Sequence, residues 1–376
     1  MARGEIREAS RWSRRPVDGL PDDHLITYAR IAARSSRFHT HREPAAGGDP
    51  RGARDQRAAP LPDPIDGPHV TGRVLTVTLN AALDVTYHVA AFTPGATHRV
   101  SRVDERAGGK GLNVARLLHA LGTPVVATGL AGGACGARIR SLLADQEVPE
   151  AFVPIAAESR RTVVVAEPDT ATGLWEPGPT VTADEWDAFL ARFTDLVRDA
   201  EVAVLSGSLP SGVPADAYRV LVEVARRAGA RTVLDTSGDP LRHGLDAGPD
   251  LVKPNAEELA GLTGHAPPGP AAAVETVRAL DADAVVASFG PEGLLAVTGE
   301  GAWHAYLPHP VAGNPTGAGD ACVAALTRGM IGRHAWPDRL TEAVALSAAA
   351  VRAPVAGSVD LADYRHLLPA VIVKEL

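Results

Sequence analysis

Of the 37 basic residues in this 376-residue chain only three are lysines, Lys110, Lys253 and Lys374, and there are only four asparagines, Asn80, Asn113, Asn255 and Asn314. All four asparagines and two of the lysines fall inside four short segments: 78–84 (TLNAALD), 107–113 (AGGKGLN), 252–258 (VKPNAEE) and 313–320 (GNPTGAGD). Lysine is a compact, rotatable point charge, and asparagine carries a donor and an acceptor on one short stem; neither arginine nor aspartate reproduces them. In a chain where arginine serves almost everywhere else, this clustering marks the four segments as candidate site residues.

The last segment offers the most explicit chemistry. Thr316-Gly-Ala-Gly-Asp320 precedes a good helix former, ACVAALT, and a glycine-rich turn that opens a helix aims free backbone N–H groups and the positive dipole end at one point. An anion held by the amides of Gly317, Ala318 and Gly319 would lie beside Asp320, which could take the proton from a hydroxyl attacking that anion, as phosphoryl transfer requires. The same residues also read as a capped helix after a tight turn, with Asp320 serving the dipole.

Gly108-Gly-Lys-Gly111 forms a second nest of donors before a helix, and it lacks the glycine spacing of a Walker A loop or a dinucleotide fold. Gly108, Gly109 and Asn113 could recognise sugar hydroxyls and Lys110 a phosphate, or the segment is a plain turn. Asp84, at the end of a strand-like run, could accept bonds from two hydroxyls or be a turn aspartate. Arg99 and Arg160 suit bidentate phosphate contacts, although a solvated face is the plainer reading of any one arginine here. Lys253-Pro-Asn255 ends a buried-looking strand, and Glu258 lies one helical turn beyond Asn255, a spacing that could hold Mg2+ through water. Ser288, Gly290 and Gly293 belong to a strand followed by a two-glycine turn, suited to passing close beside a nucleotide or simply to turning the chain.

These segments need a scaffold that brings them together. From residue 74 onward, β-branched runs at 74–80, 125–130, 162–167, 202–206, 232–235, 251–254 and 284–289 alternate with helical stretches, a pattern that predicts an α/β fold with a mostly parallel sheet. Apolar spacing predicts helices over 112–121 and 215–228, and Thr182-Ala-Asp-Glu185 predicts a capping box opening a helix through Phe193. Segments 82–104 and 160–178 read as extended without crossover helices, so they are expected to form a small sheet over one end of the main domain, a lid.

Residues 1–70 carry 12 arginines against 10 acids with little apolar periodicity, and are expected to be a disordered extension before a single domain over 71–376. The net charge of −8 argues against nucleic acid, which rewards clustered cations. Two cysteines, Cys135 and Cys322, allow no disulfide framework; with no run of 18 apolar residues and no signal-like N-terminus, a soluble cytoplasmic protein with a small-molecule partner is expected. Cys322, two residues after Asp320, reads as a small buried side chain, since no partner base is apparent. His39 and His41 have no further ligand at helical spacing, so no metal site is expected there.

Taken together and in order, 78–84, 108–113, 206–210 (SGSLP), 253–258, 288–293 and 317–320 resemble the PfkB branch of the ribokinase-like carbohydrate kinases, over about residues 74–354. Within it the likeness is greatest to the 1-phosphofructokinases and tagatose-6-phosphate kinases. The resemblance implies a three-layer α/β/α domain with a β lid, dimers formed lid to lid, and transfer of the γ-phosphoryl of ATP to a ketohexose phosphate. Fructose 1-phosphate is the leading acceptor, with tagatose 6-phosphate and fructose 6-phosphate as alternatives and a non-catalytic sugar-phosphate regulator as the reading of another class.

The resemblance also implies roles: Asp320 as base, the amides of Gly317, Ala318 and Gly319 as anion hole, and Asp84, Gly108, Gly109, Lys110 and Asn113 on the sugar. Arg160 would meet the substrate phosphate, Arg99 would reach across a dimer, Lys253, Asn255, Ser288, Gly290 and Gly293 would serve the nucleotide, and Glu258 the metal through water. Two departures from the family pattern stand out, Ala81 where proline is usual and Asn314-Pro-Thr before the glycine turn. The second bears on the choice of substrate.

Overall fold

A computed structural model describes residues 73–376 except Asp169, Asp281, Pro354 and Ala356; the expected disordered extension lies outside the described residues. The chain enters on β1 (Val74–Thr78) and passes at once into β2 (Ala82–His88) and β3 (Arg102–Gly108). Helix α1 (Lys110–Ala120), β4 (Val125–Gly132), α2 (Gly133–Asp145), β5 (Val153–Ile155), β6 (Arg160–Ala166) and β7 (Ala171–Trp175) follow. Then come α3 (Ala183–Val197), β8 (Val202–Ser206), α4 (Ala217–Arg227), β9 (Arg231–Asp235), α5 (Gly238–Leu245), β10 (Leu251–Val252), α6 (Ala256–Thr263) and α7 (Val274–Arg278). The last part comprises β11 (Ala284–Ser288), β12 (Leu294–Thr298), β13 (Gly301–Tyr306), α8 (Ala318–Ile331), α9 (Trp336–Arg352), α10 (Leu361–Leu367) and β14 (Ile372–Glu375).

Ten strands make one sheet in the order β14-β13-β12-β11-β10-β9-β8-β1-β4-β5. It is parallel from β5 to β11 and closes with antiparallel pairs through β12, β13 and β14. Strands buried on both faces should be continuously apolar, and β1 (VLTVT) and β8 (VAVLS) are buried at every position. Their side chains alternate between two cores: Val74, Val202 and Val204 join the one built on Leu112, Ile139, Leu326 and Leu346, while Leu75, Ala203 and Leu205 join Phe189, Tyr218 and Leu241. Helices α1, α2, α8 and α9 therefore cover one face and α3, α4 and α5 the other, giving three layers. Each fully buried large side chain contributes about 1.5–3 kcal/mol. The capping box of α3 is present, with Thr182 and Glu185 each accepting from the other's backbone N–H.

The second sheet has four strands in the order β3-β2-β6-β7. Segment 162–167, which alternation alone would place in the large sheet, lies here as β6, paired in parallel with β2 and antiparallel with β7. The register sets Ala82 between Gly108 and Arg160, and Asp84 between Arg106 and Thr162. Only three residues separate β1 from β2, so the small sheet starts at the carboxyl end of β1.

Candidate active site

Strand β1 lies between β4 and β8, so the chain order runs away from it in both directions, and ligands of open α/β sheets sit outside the carboxyl ends of strands at such a reversal. The residues ending β1, β9, β10 and β11 all emerge along that edge because these strands run parallel. Helix α8 delivers Asp320 to the same place. Every α8 residue from Asp320 to Ile331 is buried, so this helix is held on all sides rather than by one stripe.

The start of α8 is bare. Its N-cap is Gly317, in the left-handed region at φ 88°, and no side chain among the described residues caps the helix. The Thr316 amide donates to Asn314 Oδ1 (3.0 Å) and the Ala318 amide to Pro315 O (3.1 Å). Of the three amides expected to form the anion site, the tight turn thus engages the Ala318 N–H, while those of Gly317 and Gly319 have no acceptor among the described residues.

Asp320 is 6% exposed. Burial, and then the negative charge of Asp235, push its carboxyl up to about 7, against Asn113, Lys110 and Lys253, which favour ionisation. A carboxylate titrating near neutrality suits a general base. Asn113 Nδ2 donates to Asp320 Oδ2 at 2.7 Å, so the asparagine expected on the sugar is first of all a partner of the acid.

Lys110 is the first residue of α1, two residues ahead of the expected start. Its Nζ lies 3.2 Å from Asp235 Oδ1 and 3.8 Å from Glu258 Oε1. Lys253 Nζ, buried, lies 3.3 Å from the same Asp235 oxygen. Burial opposes the charge of both lysines, yet Asp235 holds both above the ordinary lysine value. A Cβ at Gly319 would stand 3.6 Å from Lys253 Nζ, which places this ammonium beside the helix start. Asp235 was missed in the sequence because no rare residue flags it; its position at the carboxyl end of a parallel strand was the available signal. Its second oxygen, Oδ2, is buried without a hydrogen-bond partner among the described residues.

Asp84 faces the site from the small sheet. Burial raises its carboxyl, while Arg116, the Thr162 hydroxyl, Arg160 and Arg106 pull it back. Gly108, diagonal to it across β2 and β3, is required there, since a Cβ would collide with the Asp84 carboxylate; Gly109 follows as the N-cap of α1. Arg160 Nε donates to Asn80 O at 3.3 Å, at the site end of β6. Arg99 is not brought in: it is exposed and lies beyond His88, the far end of β2, about 20 Å along the strand from Ala82 at ~3.3 Å per residue.

Asn255 and Glu258 form a second capping box, Oδ1 of one accepting from the Glu258 amide (2.7 Å) and Oε2 of the other from the Asn255 amide (2.8 Å). That leaves Asn255 Nδ2 and Glu258 Oε1 for other partners. Asn255 is bridged to Ser288, and Gly290 and Gly293 bracket the single turn after β11. Beside Asn255 and Glu258 opens a cavity of about 360 Å³, lined also by Ser237, Gly238 and Arg242.

A proton acceptor fixed in the first turn of an uncapped helix suits transfer of an anionic group to a hydroxyl, the chemistry of a kinase that phosphorylates an alcohol. The sequence profile of the pfkB family carbohydrate kinases matches residues 77–361, and the chain belongs to that family. Phosphofructokinase-2 from Escherichia coli, solved with substrates and products, is 31% identical with a TM-score of 0.72, over 79% of this chain and 98% of that one. A protein from Thermotoga maritima described as a possible 1-phosphofructokinase is 26% identical with a TM-score of 0.73, over 81% and 99%. Arabidopsis thaliana ribokinase, solved with ribose and ATP, shares the fold at 21% identity and a TM-score of 0.63, over 79% and 98%. The chain is thus a carbohydrate kinase, and as a kinase it uses ATP. No helix among the described residues is long and apolar enough to cross a membrane.

Proposed function

We propose that the protein transfers the γ-phosphoryl group of ATP to O6 of fructose 1-phosphate. Asp320 takes the proton of the C6 hydroxyl as that oxygen bonds to the γ-phosphorus, and the bond from the γ-phosphorus to the oxygen bridging the β-phosphate breaks, releasing ADP. The Gly317 and Gly319 amides meet the transferring group, and Lys110 moves between Asp235 and the phosphates. Asp84, Gly108, Gly109 and Asn113 hold the sugar, and Arg160 its phosphate. Asn255, Ser288, Gly290 and Gly293 lie along the nucleotide. The observation that carries this reading is Asp320: a buried carboxylate beside an uncapped helix start, held near neutral pKa.

Mg2+ fits these residues. The capping box leaves Glu258 Oε1 as a hard oxygen donor, and Mg2+ is usually bound by one or two carboxylates with phosphates and water rather than by an all-protein cage; no cluster of three ligating side chains occurs among the described residues. Bound through water to Glu258, the ion would neutralise charge on the β- and γ-phosphates. Asp320 also argues against a non-catalytic regulator, which has no use for a base beside an anion site.

Residues 71–376 form the kinase domain in this reading, and 1–70 an extension. The small sheet acts as a lid and as the dimer contact, because Val103, Leu174 and Trp175 of its edge strands are exposed. Arg99 then reaches the partner's site. The two thiols are free, in keeping with a cytoplasmic enzyme supplied with ATP and sugar phosphates.

The test is ADP release with a panel of acceptors. Fructose 1-phosphate should give the highest kcat/KM; the 31% identity to phosphofructokinase-2 makes fructose 6-phosphate the second reading, followed by tagatose 6-phosphate. A maximum at an unphosphorylated sugar or a nucleoside would overturn the substrate class, and no ADP release with any of them would overturn the activity.

A further inference from the structure

Arg116 is buried on α1, three residues after Asn113, and so on the same helix face. Its Nη2 donates to Asn113 Oδ1 at 2.6 Å and its Nη1 to Ala107 O of β3 at 2.5 Å. Asn113 Nδ2 in turn donates to Asp320 Oδ2 at 2.7 Å. We propose that Arg116 is a positioning residue for the base: its guanidinium fixes the Asn113 amide so that the NH2 group, and not the carbonyl, faces Asp320. This rests on Asp320 being the base.

An asparagine amide can turn over and exchange its two ends, and only its partners decide which end points where. A guanidinium has donors and no acceptor, so the end of Asn113 that meets Arg116 must be the oxygen. The NH2 group is thereby committed to Asp320, where it engages Oδ2 and leaves Oδ1 without a protein donor among the described residues. That oxygen is the one available to a substrate hydroxyl. Arg116 does this without touching the substrate.

The surroundings keep the arrangement closed. A Cβ at Gly357, in the loop after α9, would collide with both Arg116 Nη2 and Asn113 Oδ1, so bare backbone packs over this bond and excludes water. Asp84 on β2 and Asp320 on α8 favour the charge of Arg116, and Arg106 on β3 opposes it; burial brings its pKa down to about 10, still charged at neutral pH. Around Asp320 the other ionisable groups are Asp235 on β9, Lys110 on α1 and Lys253 after β10. A lysine at position 116 would keep a charge but not the planar fork that serves Asn113 and Ala107 together.

The experiment compares kcat/KM against pH for the full chain, Arg116→Met, Arg116→Lys and Asp320→Asn, with thermal melts alongside. With Arg116 replaced, the amide can present its carbonyl to Asp320 and accept from the protonated carboxyl, which favours that form. The acidic limb should therefore move upward by about one pH unit in Arg116→Met, and by less in Arg116→Lys, whose ammonium can still donate to Asn113 Oδ1 without the second bond to Ala107. Activity of Arg116→Met at pH 7 should fall about 5-fold, the ionised fraction of a group moved from about 7 to about 8, and recover at high pH, with little change in KM for ATP. Arg116→Lys, close in size and charge, serves where the methionine variant does not fold. Loss of activity by the same factor at every pH, with the limb in place, would show that Arg116 only stabilises the fold. If Asp320→Asn is inactive while that happens, the base stands and the positioning role falls; if Asp320→Asn turns over normally, both fall.

Discussion

Asp320 and Asp84 are both raised by burial, and both lie within reach of the Arg116 charge, yet the two regions that supply them treat the carboxylate differently. Asp320 stands on α8, packed on all sides, where the next influence after burial is another carboxylate, Asp235, pushing in the same direction. Asp84 stands on a strand of the small sheet, where three arginines and a threonine hydroxyl counter the burial. One residue type is thus set in two surroundings: on the large-sheet side, the floor of the site, burial and a second carboxylate push the carboxyl up to about 7, whereas in the small sheet three arginines and a hydroxyl counter its burial.

Replacing the floor carboxylate should have the largest effect. Asp320→Asn should lower kcat by roughly 10²- to 10⁴-fold with little change in sugar KM, measured by steady-state ADP release. In the unaltered protein kcat/KM should rise with pH through about 7 as Asp320 ionises. Stability should move the other way. The folded state holds a proton on Asp320 that the unfolded chain, with an ordinary value of 3.8, has lost; stability from this group is therefore full below 3.8 and is lost as pH rises through about 7. Melts at pH 5 and pH 8 should differ less in Asp320→Asn than in the parent.

Asp84→Asn should act on binding instead. Replacing a carboxyl that faces Arg106, Arg116 and Arg160 by an amide should raise the sugar KM about 10- to 100-fold, about 1.5–3 kcal/mol, with kcat changed far less. If kcat falls and KM does not, the division between floor and small sheet is wrong.

A third test concerns the outer surface of the small sheet. Trp175 is 69% exposed and Leu174 56%, whereas the interior strands β1 and β8 of the large sheet are buried throughout. Trp175→Asp should weaken a dimer by at least about 2 kcal/mol, a roughly 30-fold rise in its dissociation constant, read by light scattering over a dilution series. A monomer at every concentration in the parent would remove the dimer, and with it any role for Arg99 at a neighbouring site.

Much of this division could be read in the sequence, for physical reasons that also explain what could not. The strands of the large sheet declare themselves because burial on both faces demands unbroken β-branched runs, as in VLTVT. Lys110, Asn113, Lys253 and Asn255 stood out because lysine and asparagine are scarce. Arg116 had no such contrast, being one arginine among many, and Asp235 looked like the polar end of a strand; what sets them apart is that the fold brings Asp320, 207 residues on, to the Asn113 that Arg116 holds and Lys110, 125 residues back, to Asp235, which spacing does not encode. Segment 162–167 was ambiguous because a half-covered strand and a buried one share a composition. The distinction between Ala318 and its glycine neighbours depended on a turn hydrogen bond rather than on residue type.

The smallest expected effect separates structure from chemistry on the floor itself. Thr182 and Asn255 each head a capping box of the same design, but only Asn255 borders the 360 Å³ cavity. Alanine at either position should cost about 1 kcal/mol of stability through the lost cap, seen as similar shifts in denaturant midpoint. Asn255→Ala should in addition raise KM for ATP several-fold, because the loss of Nδ2 and the loosened Glu258 act where the phosphates are proposed to lie. Thr182→Ala should leave it alone. Equal behaviour of the two variants would make Asn255 a cap and nothing more, and would leave Glu258 as the sole contribution of α6 to the nucleotide.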